Sequence, residues 1–395
     1  MSPLRFLTAG ESHGRGLVGI LEGIPAGLAL EAAFINAQLE RRQGGHGRGG
    51  RMKIEKDEAE IVSGVRRGKT LGSPISLLVW NRDWKNWSEA MRVEPGGDEK
   101  LKSVKVPRPG HADYVGGVKY GHSDLRNVLE RASARETAMR VAVGSVARKF
   151  LLEFGVHVAS RVVSIGAAED DADAEKTPVE RLNEAADASP VRCLGKKAER
   201  EMVAAIDAAK AAGDTVGGVF EVRTSGLPVG LGSYAQWDRR LEGELAKALL
   251  SLNAIKGVEL GDGFGLAAVR GSLAQDEMDP GRPGVRRRTG HSGGTEGGMS
   301  TGEVLRVRAA MKPISTIPRA LATIDTATGE SATAHHQRSD VCAVPAAGVV
   351  AEAMVGLVLA EAVLEKFGGD SVTETARNVA AYLADVQARG LEVLR

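Results

Sequence analysis

The residues of this sequence that could do chemistry lie in loops rich in glycine. Residues 10–16 read Gly-Glu-Ser-His-Gly-Arg-Gly and directly follow a short apolar run. Glycine accepts positive φ and lets the backbone come close to a ligand, and loops carry a large share of catalytic and binding side chains. His13 lies here near arginines, and an imidazole and a guanidinium together can supply the proton and the positive charge that a departing phosphate needs.

A second candidate, His111, lies in a turn that is bracketed by prolines. Pro107 and Pro109 restrict the backbone ahead of it, and Asp113 follows two residues later. The prolines therefore predict a rigid turn that presets the position of the imidazole. Taken alone, His13 and His111 each fit a structural role as well as acid catalysis, and the arginine-rich loops favour catalysis.

The remaining histidines and the cysteines predict no metal site. His157 lies in a strand pattern and is expected to be structural, and the rings of the adjacent His335 and His336 would diverge on a strand. No set of His, Cys and carboxylate residues has the spacing of a zinc site. Cys193 and Cys342 lie far apart in the sequence, which indicates a reducing cytoplasm and no disulfide framework.

The overall charge is balanced, with 52 Lys and Arg residues against 51 Asp and Glu residues. General binding to nucleic acid or to a membrane surface needs a basic excess, so both are disfavoured. The arginines cluster in glycine-rich loops, which favours small anionic ligands.

Residues 343–364 are strongly apolar, but Glu352 and Glu361 within them predict a buried helix rather than a membrane span. The N-terminus has no signal-like region, which supports a cytoplasmic location.

Nucleophilic and nucleotide chemistry are both disfavoured. Ser12 is adjacent to His13, which is a poor arrangement for activation of its hydroxyl, and no G-x-S-x-G elbow is present. No P-loop motif is present either, and residues 45–50 match the dinucleotide pattern G-x-G-x-x-G only formally. A helix precedes that stretch and residues 52–55 alternate like a strand, the reverse of the required order. The arginines in and around this loop either hold an anion or are solvated; they are Arg41, Arg42, Arg48 and Arg51.

A predicted helix N-terminus near residue 133 is a further candidate anion site. Ser133 and Glu136 have the spacing of a capping box at the start of a helix that runs to about Phe154. Arg131 and Arg135 flank this end, so the helix dipole and the side-chain charge both favour an anion. Ser12 and Ser133 are expected to donate to phosphate or carboxylate groups.

The carboxylate of Asp340 has two possible roles. It precedes the long apolar helix, so it is either the N-cap of that helix or a carboxylate held near a ligand. The spacing alone leaves both alternatives open.

The order of the elements predicts the fold class. Strands and helices alternate until residue 343, after which helices follow one another, which predicts an α+β or layered α/β fold. Residues 18–30 read as two short strands, and residues 10–30 faintly resemble residues 217–265, which is weak support for a repeat. Residues 80–93 contain three tryptophans and are expected to pack at the surface. Residues 279–301 have no periodicity and predict a lid or a disordered segment.

No clear linker interrupts the chain, so we expect a single domain over residues 1–395.

Six stretches resemble, in the same order, signature and supporting motifs of the chorismate synthase family. They are Gly10–Gly14, Gly110–Tyr114, Arg131–Ala138, Gly293–Gly298, Lys312–Thr316 and Arg338–Asp340. Each motif is short, but the ordered set is highly specific and spans nearly the whole chain. Ala132 stands where some members of the family carry Ser.

The resemblance implies a fold, a reaction and partners. The fold would be a layered β-α-β sandwich of two related halves, assembled as a homotetramer. The reaction would be the 1,4-anti elimination of phosphate from 5-enolpyruvylshikimate 3-phosphate to chorismate, with reduced FMN. Some members reduce their flavin with NADPH; the lack of a dinucleotide fold predicts a monofunctional enzyme that depends on an external flavin reductase. Another phosphate- or nucleotide-binding enzyme and an RNA-binding protein with basic loops remain the alternatives.

The resemblance also implies roles for individual residues. His13 would protonate the departing phosphate, His111 would protonate the reduced flavin, and Asp340 would assist proton removal at flavin N5. Ser12 and Ser133 would support this proton network. The positions that match FMN contacts of the family are Arg131, Ala132, Ser133, Asn253, Ala254, Gly297, Lys312, Pro313, Ile314, Ser315, Thr316 and Arg338. Arg42 and Arg48 match positions assigned to NADPH or to substrate anions.

Overall fold

Strands and helices are mixed along the chain, whose computed structural model describes residues 4–50, 54–98, 100–281, 284–319, 321–334 and 340–391. The strands are β1 (Arg5–Ala9), β2 (Gly16–Glu22), β3 (Ala59–Ser63), β4 (Val65–Arg66), β5 (Lys69–Thr70), β6 (Ile75–Trp80), β7 (His157–Ile165), β8 (Ala168–Glu169), β9 (Gly218–Ser225), β10 (Ile255–Leu260), β11 (Met278–Gly281), β12 (Gly284–Arg287), β13 (Thr295–Glu296), β14 (Met299–Ser300), β15 (Leu305–Met311), β16 (Ala322–Ile324) and β17 (Ser331–Thr333). The α-helices are α1 (Ala32–Gln43), α2 (Asp113–Tyr120), α3 (Arg126–Ala132), α4 (Thr137–Leu152), α5 (Val179–Asp187), α6 (Lys196–Ala211), α7 (Leu241–Leu250), α8 (Gly271–Ala274), α9 (Val344–Phe367) and α10 (Val372–Ala388).

The first sheet is antiparallel and has the strand order β1-β2-β6-β3. Leu17 and Leu21 on β2 and Leu77 on β6 are fully buried, while the residues directly before and after each of them are more accessible. This alternation is the expected signature of strands with one face on a core. The β1–β2 hairpin pairs Ala9 with Val18, so residues 10–15 form the loop at its end.

The second sheet is also antiparallel, with the order β10-β15-β9-β7-β8. Helices lie between the two sheets: α4 packs on β2 and β6 of the first sheet, and α9 packs on β7 and β9 of the second. The two helices also pack on each other. A Cβ added at Gly144 of α4 would lie 2.5 Å from the Cβ of Ala353 on α9, so glycine allows this close approach. The fold is therefore α+β with β-α-β layers, as predicted.

Helix α9 is a core helix, which confirms the sequence prediction. Among the described residues it is the one helix that is long and apolar enough to cross a membrane. In its most apolar 18-residue stretch, 83% is buried inside the protein. Glu352 on α9 is fully buried and accepts hydrogen bonds from Arg41 at 2.8 and 2.9 Å. Arg148 contacts the same carboxylate at 2.9 Å. Burial opposes its ionisation, but the three nearby guanidinium groups, Arg192 included, hold the pKa of Glu352 far below its usual value.

Three local predictions need correction. The second short strand expected within residues 18–30 is absent, and this segment instead makes isolated β-bridges at Ala26 and Ala29. Residues 279–301 are not without structure: β11 pairs with β12 and β13 pairs with β14 in two small hairpins. Residues 54 and 55, the described part of the strand expected over 52–55, are not in a strand. Hydrophobic periodicity cannot reveal these hairpins, because strands of two to four residues are too short to show an alternating pattern.

One cluster of buried apolar side chains includes residues of both sheets and of the helices between them, such as Leu17, Phe150, Phe220 and Leu357. A core shared in this way supports the proposal that the chain is a single domain. The resemblance between the two halves stays a prediction.

Candidate active site

The ring of His13 is held by a buried carboxylate from a distant part of the chain. The β1–β2 loop carries His13, and Glu130 lies on α3. The backbone N–H of His13 donates to Glu130 Oε2 at 2.7 Å, and Nδ1 lies 2.9 Å from Oε1. The Glu130 side chain is 1% exposed and that of His13 is 17% exposed. Burial favours the neutral acid, but hydrogen bonds and the charge of His13 outweigh it and lower the pKa of Glu130.

The plane of the His13 ring is defined by Trp87. The two rings are stacked, with centroids 3.8 Å apart and an interplanar angle of 20°. Lys102 Nζ lies 3.4 Å from the centroid of the Trp87 ring, and the Arg126 guanidinium lies 5.1 Å from it. The tryptophan-rich segment lies at the surface as predicted, and Trp87 within it packs on a candidate catalytic residue.

The two candidate serines lie together beside His13. The hydroxyls of Ser12 and Ser133 are 3.1 Å apart, and the backbone N–H of Ser12 donates to the carbonyl of Glu130 at 2.9 Å. Arg131 donates to the carbonyl and hydroxyl of Thr8 at 2.9 and 2.8 Å, while 42% of its side chain stays exposed. Loop 10–15 and the end of α3 therefore form one polar cluster, which we call the His13 cluster.

His111 belongs to a second cluster, which is built almost entirely within one short segment. Its Nδ1 lies 2.6 Å from Oδ1 of Asp113, the first residue of α2. Arg108 donates from its backbone N–H and its Nε to Oδ2 of the same carboxylate, at 3.1 and 2.8 Å. Arg108 also donates to Thr316 Oγ1 at 2.8 Å. Burial opposes ionisation of Asp113, but His111 and Arg108 together hold its pKa far below the usual value. These residues form the His111 cluster.

A chain of hydrogen bonds connects the two clusters through the end of the second sheet. Asn253 Nδ2 donates to the carbonyl of Ala132 at 3.0 Å. The backbone N–H of Lys312 donates to the carbonyl of Ala254 at 2.9 Å, and Lys312 Nζ donates to the carbonyl of Gly110 at 2.8 Å. Since β10 pairs with β15, residues 253–254 and 312 are brought side by side. Four segments that are separated in sequence thus converge at this point.

Ala254 has an unusual backbone conformation at this junction. Its φ is +65°, in the left-handed region that residues other than glycine seldom adopt. Such conformations cost free energy, persist only where their surroundings impose them, and are enriched at functional sites. The conformation supports the inclusion of Ala254 in the candidate site.

Asp340 is not the N-cap of α9, so the capping alternative is wrong. The N-cap of α9 is Ala343. The carboxylate of Asp340 instead accepts a hydrogen bond from the backbone N–H of Gly49 at 2.6 Å and pairs with Arg48 at 2.7 Å. The loop of residues 45–50 follows α1, with no strand before it, so it lacks the strand-loop-helix context of a dinucleotide site. Asp340 and Arg48 thus form a carboxylate–guanidinium pair on this loop.

The structure changes the interpretation of two arginines that were predicted to bind anions. Arg42 is 4% exposed and donates to Thr137 Oγ1, to Asp57 and to the carbonyl of Ala134. Burial lowers its pKa to about 10, against the attraction of Asp57. Arg135 is also buried and pairs with Asp57. Most of their donors serve protein acceptors, so both side chains hold neighbouring segments together, and direct contact with an anion stays a prediction.

The capping box predicted at residue 133 is only partly formed. Ser133 Oγ accepts from the backbone N–H of Arg135 at 3.3 Å and caps a short 3₁₀ turn. The carboxylate of Glu136 does not reach back to it, since its Oε1 accepts from Thr8 Oγ1 at 2.7 Å and pairs with Arg140. The predicted long helix begins after this turn, at Thr137.

The remaining predicted cofactor positions are distributed as follows. Pro313, Ile314 and Ser315 follow β15 beside Lys312, and Thr316 is buried against Arg108. Gly297 lies instead in the β13–β14 turn, which packs against residues 232–241. Arg338 lies outside the described residues.

A cavity of about 370 Å³ opens beside the His111 cluster. It is lined by residues 100, 103–106, 108 and 325. Lys100, Lys105 and Arg108 give it a cationic wall. Such a wall favours anionic ligands.

Three residues that position the histidines were not singled out from the sequence. They are Glu130, Trp87 and Arg108. The signal for Glu130 was an acid four residues after Arg126 among the apolar residues of α3, a spacing that puts the pair on one helix face. Trp87 had no sequence signal that separates it from an ordinary packing tryptophan.

Comparisons with known proteins agree with one another. The family model for chorismate synthase matches residues 4–364. A chorismate synthase of Acidothermus cellulolyticus is 59% identical over 387 residues, which cover 96% of this chain and 98% of that protein. One of Streptomyces avermitilis is 57% identical over 398 residues, 98% of this chain and 100% of that protein. A crystal structure of a chorismate synthase has a TM-score of 0.79 and 44% identity over 98% of both chains.

The fold and these relatives together define the class of the chain, an α+β enzyme that belongs to the carbon–oxygen lyases acting on phosphates. The chain belongs to the chorismate synthase family, whose reaction is a step of the shikimate pathway.

Proposed function

We propose that this chain forms chorismate from 5-enolpyruvylshikimate 3-phosphate by 1,4-anti elimination of phosphate, with reduced FMN as its cofactor. The single observation that carries the proposal is the geometry of the His13 cluster. An imidazole is held on a buried carboxylate, 2.9 Å from it, beside two serine hydroxyls and the partly exposed Arg131. That combination supplies a proton and a positive charge, which the departure of phosphate requires.

The donor set at the junction of the two clusters fits a flavin with its phosphate. Lys312 and Arg131 offer cationic groups, Ser133 and Ser315 offer hydroxyls, and each of the four is at least partly accessible. When bound, reduced FMN would supply a transient electron that helps the phosphate to leave and a nitrogen, N5, that takes the proton. The side chains of the site bind, orient and protonate.

His13 is proposed as the acid that protonates the departing phosphate. Its Nδ1 is occupied by Glu130, so the proton would be delivered from Nε2, on the opposite side of the ring. Ser12 and Ser133, with hydroxyls 3.1 Å apart, would support the proton network around the leaving group.

His111 is proposed to protonate the reduced cofactor. Asp113 and Arg108 fix its orientation, because the carboxylate accepts from both. Thr316, held by Arg108, would extend the site toward residues 312–316.

Asp340 is proposed to assist removal of the proton. Gly49 donates to its carboxylate and Arg48 pairs with it, so both contacts hold the side chain in place. Arg48 would contribute to anion binding, and Arg42 would position the neighbouring segments through Asp57 and Thr137.

The finer biological setting belongs to the same proposal. We expect an external reductase to supply reduced flavin, with NADPH as an indirect source of electrons, because loop 45–50 lacks the context of a dinucleotide site. We also propose a cytoplasmic homotetramer of single-domain chains.

Anaerobic turnover with 5-enolpyruvylshikimate 3-phosphate and photoreduced FMN tests the proposal. We expect chorismate and inorganic phosphate in equal amounts, with no product from oxidised FMN alone. Addition of NADPH without light or a reductase should give no turnover. Product formation that does not require flavin would overturn the proposal, and salt-sensitive RNA binding without flavin binding would favour the RNA-binding alternative.

A further inference from the structure

The contacts of Glu130 go beyond those of an ordinary buried ion pair. Its carboxylate accepts from the backbone N–H of His13 and lies against Nδ1 of the same residue, at 2.7 and 2.9 Å. Its own carbonyl accepts from the backbone N–H of Ser12. One residue of α3 therefore fixes both the backbone and the ring of the loop that carries the two candidate groups.

The charges that face the His13 ring have opposite signs. Glu130 attracts a proton to the ring. Arg126 donates to Glu130 Oε1 at 3.2 Å and, with Lys102, lies next to the Trp87 ring that stacks on His13. The two cations reduce the pull of the carboxylate. An acid catalyst needs this balance, because it must hold its proton in the resting enzyme and release it to the leaving group.

We propose that Glu130 is a positioning residue, which directs Nδ1 of His13 inward and stabilises the imidazolium so that Nε2 presents its proton to the leaving phosphate. Trp87 holds the plane of the ring in this arrangement. The inference rests on the proposed role of His13 as the acid, and it deepens that role by naming the group that sets its protonation.

NMR titration of the unliganded full-length chain tests the coupling directly. The histidine rings are labelled with ¹³C, and the His13 signal is assigned by its loss in His13→Gln. In Glu130→Gln, which keeps the shape but removes the charge, the titration midpoint of His13 should move to lower pH by about one unit or more. In Arg126→Gln, which leaves the carboxylate in place, it should move to higher pH.

Asp207→Asn is the matched control. Asp207 is an exposed carboxylate 2.7 Å from Nε2 of another histidine, His46. Its loss should move only the His46 signal. An unchanged His13 midpoint in a folded Glu130→Gln protein would overturn the proposal. If that variant does not fold, an unchanged or lowered midpoint in Arg126→Gln would overturn it as well.

Kinetics separate this inference from the proposed function. In Glu130→Gln, kcat should fall about tenfold to a hundredfold with little change in KM. The alkaline limb of the pH profile of kcat/KM, which reports the free enzyme, should shift together with the NMR midpoint of His13. An alkaline limb that does not follow the midpoint would overturn the inference. Full activity of His13→Ala would instead refute the acid role of His13, while the NMR coupling would still report the Glu130 contact.

Discussion

The two histidine clusters reach similar environments by different routes. The side chains of His13 and His111 are 17% and 18% exposed, and each Nδ1 faces a carboxylate that is at most 1% exposed. The partner of His111 is two residues away in sequence, whereas the partner of His13 is 117 residues away. A local turn therefore builds one cluster, and packing of α3 against the first sheet's hairpin loop builds the other.

Because they are built differently, the two clusters should differ in how strongly a distortion of the tertiary structure disturbs them. The His111 cluster depends on one segment and a small number of hydrogen bonds from residues 108–113. The His13 cluster depends on the relative placement of three segments, around residues 13, 87 and 130. Distortion of the tertiary structure should disturb His13 before it disturbs His111.

Loss of either imidazole should have the largest effect. We expect His13→Ala and His111→Ala each to lower turnover by about two to four orders of magnitude, the usual contribution of general acid catalysis. His157→Gln, a change on strand β7, is the control. Anaerobic turnover measures the effect, and a normal rate would remove that histidine from the mechanism. If both histidines act in the same step, the rise in activation free energy in the double variant should be smaller than the sum of the rises in the two single variants.

Removal of the carboxylate beside His111 should lower the free energy of unfolding and also the turnover. Asp113 is fully buried and accepts from Arg108 and His111. Asp113→Asn leaves the guanidinium partly uncompensated, and breaking a buried pair costs about 3–5 kcal/mol. Denaturant unfolding measures the change. Asp98→Asn on an exposed loop should change the free energy of unfolding by less than about 0.5 kcal/mol, and an equally small change at Asp113 would contradict the prediction.

Asp340 extends the comparison, because its carboxylate, like that of Glu130, accepts from a backbone N–H and a side chain of a distant segment. Asp340→Ala should leave flavin affinity unchanged and slow turnover by about a hundredfold. Flavin fluorescence titration and anaerobic kinetics measure the two quantities. A lower melting temperature with normal turnover would instead assign the residue to the stability of the fold.

Acidification should weaken both clusters. The pKa values of Asp113 and Glu130 are lower in the folded chain than their ordinary values, so the unfolded chain binds protons more readily. Their contribution to stability is complete above the unfolded pKa of about 4 and is lost as the pH falls through the folded values. The free energy of unfolding should therefore decrease below about pH 5, and less steeply in Asp113→Asn. Equal slopes for both proteins would argue against the contribution of Asp113.

The smallest effect is expected from the stacking partner of His13. Trp87→Leu should lower turnover about twofold to tenfold, which corresponds to the roughly 0.5–1.5 kcal/mol of an aromatic pair. The ring-current shift of the His13 NMR signal should disappear, while His111 is unaffected. Retention of that shift would show that Trp87 does not stack on His13 in solution.

The sequence by itself determined the long apolar helix and the turn around His111. The apolar run of residues 343–364 predicted a buried helix, and residues 344–367 form one in which Glu352 is fully buried. The helix expected before loop 45–50 is α1. The prolines before His111 and the acid two residues after it are local signals. The ordered motifs were specific enough to indicate the family, which the comparisons confirmed.

Only the tertiary structure decided which polar groups meet. Arg42 and Arg135 looked like anion ligands in sequence, but each is buried beside Asp57. Glu130 and Trp87 looked like ordinary helix and surface residues, but both contact His13. The physical reason is the range of the interactions. Periodicity and turn chemistry act over a few residues, whereas these ion pairs and stacks join segments that meet only after the sheets and helices have packed.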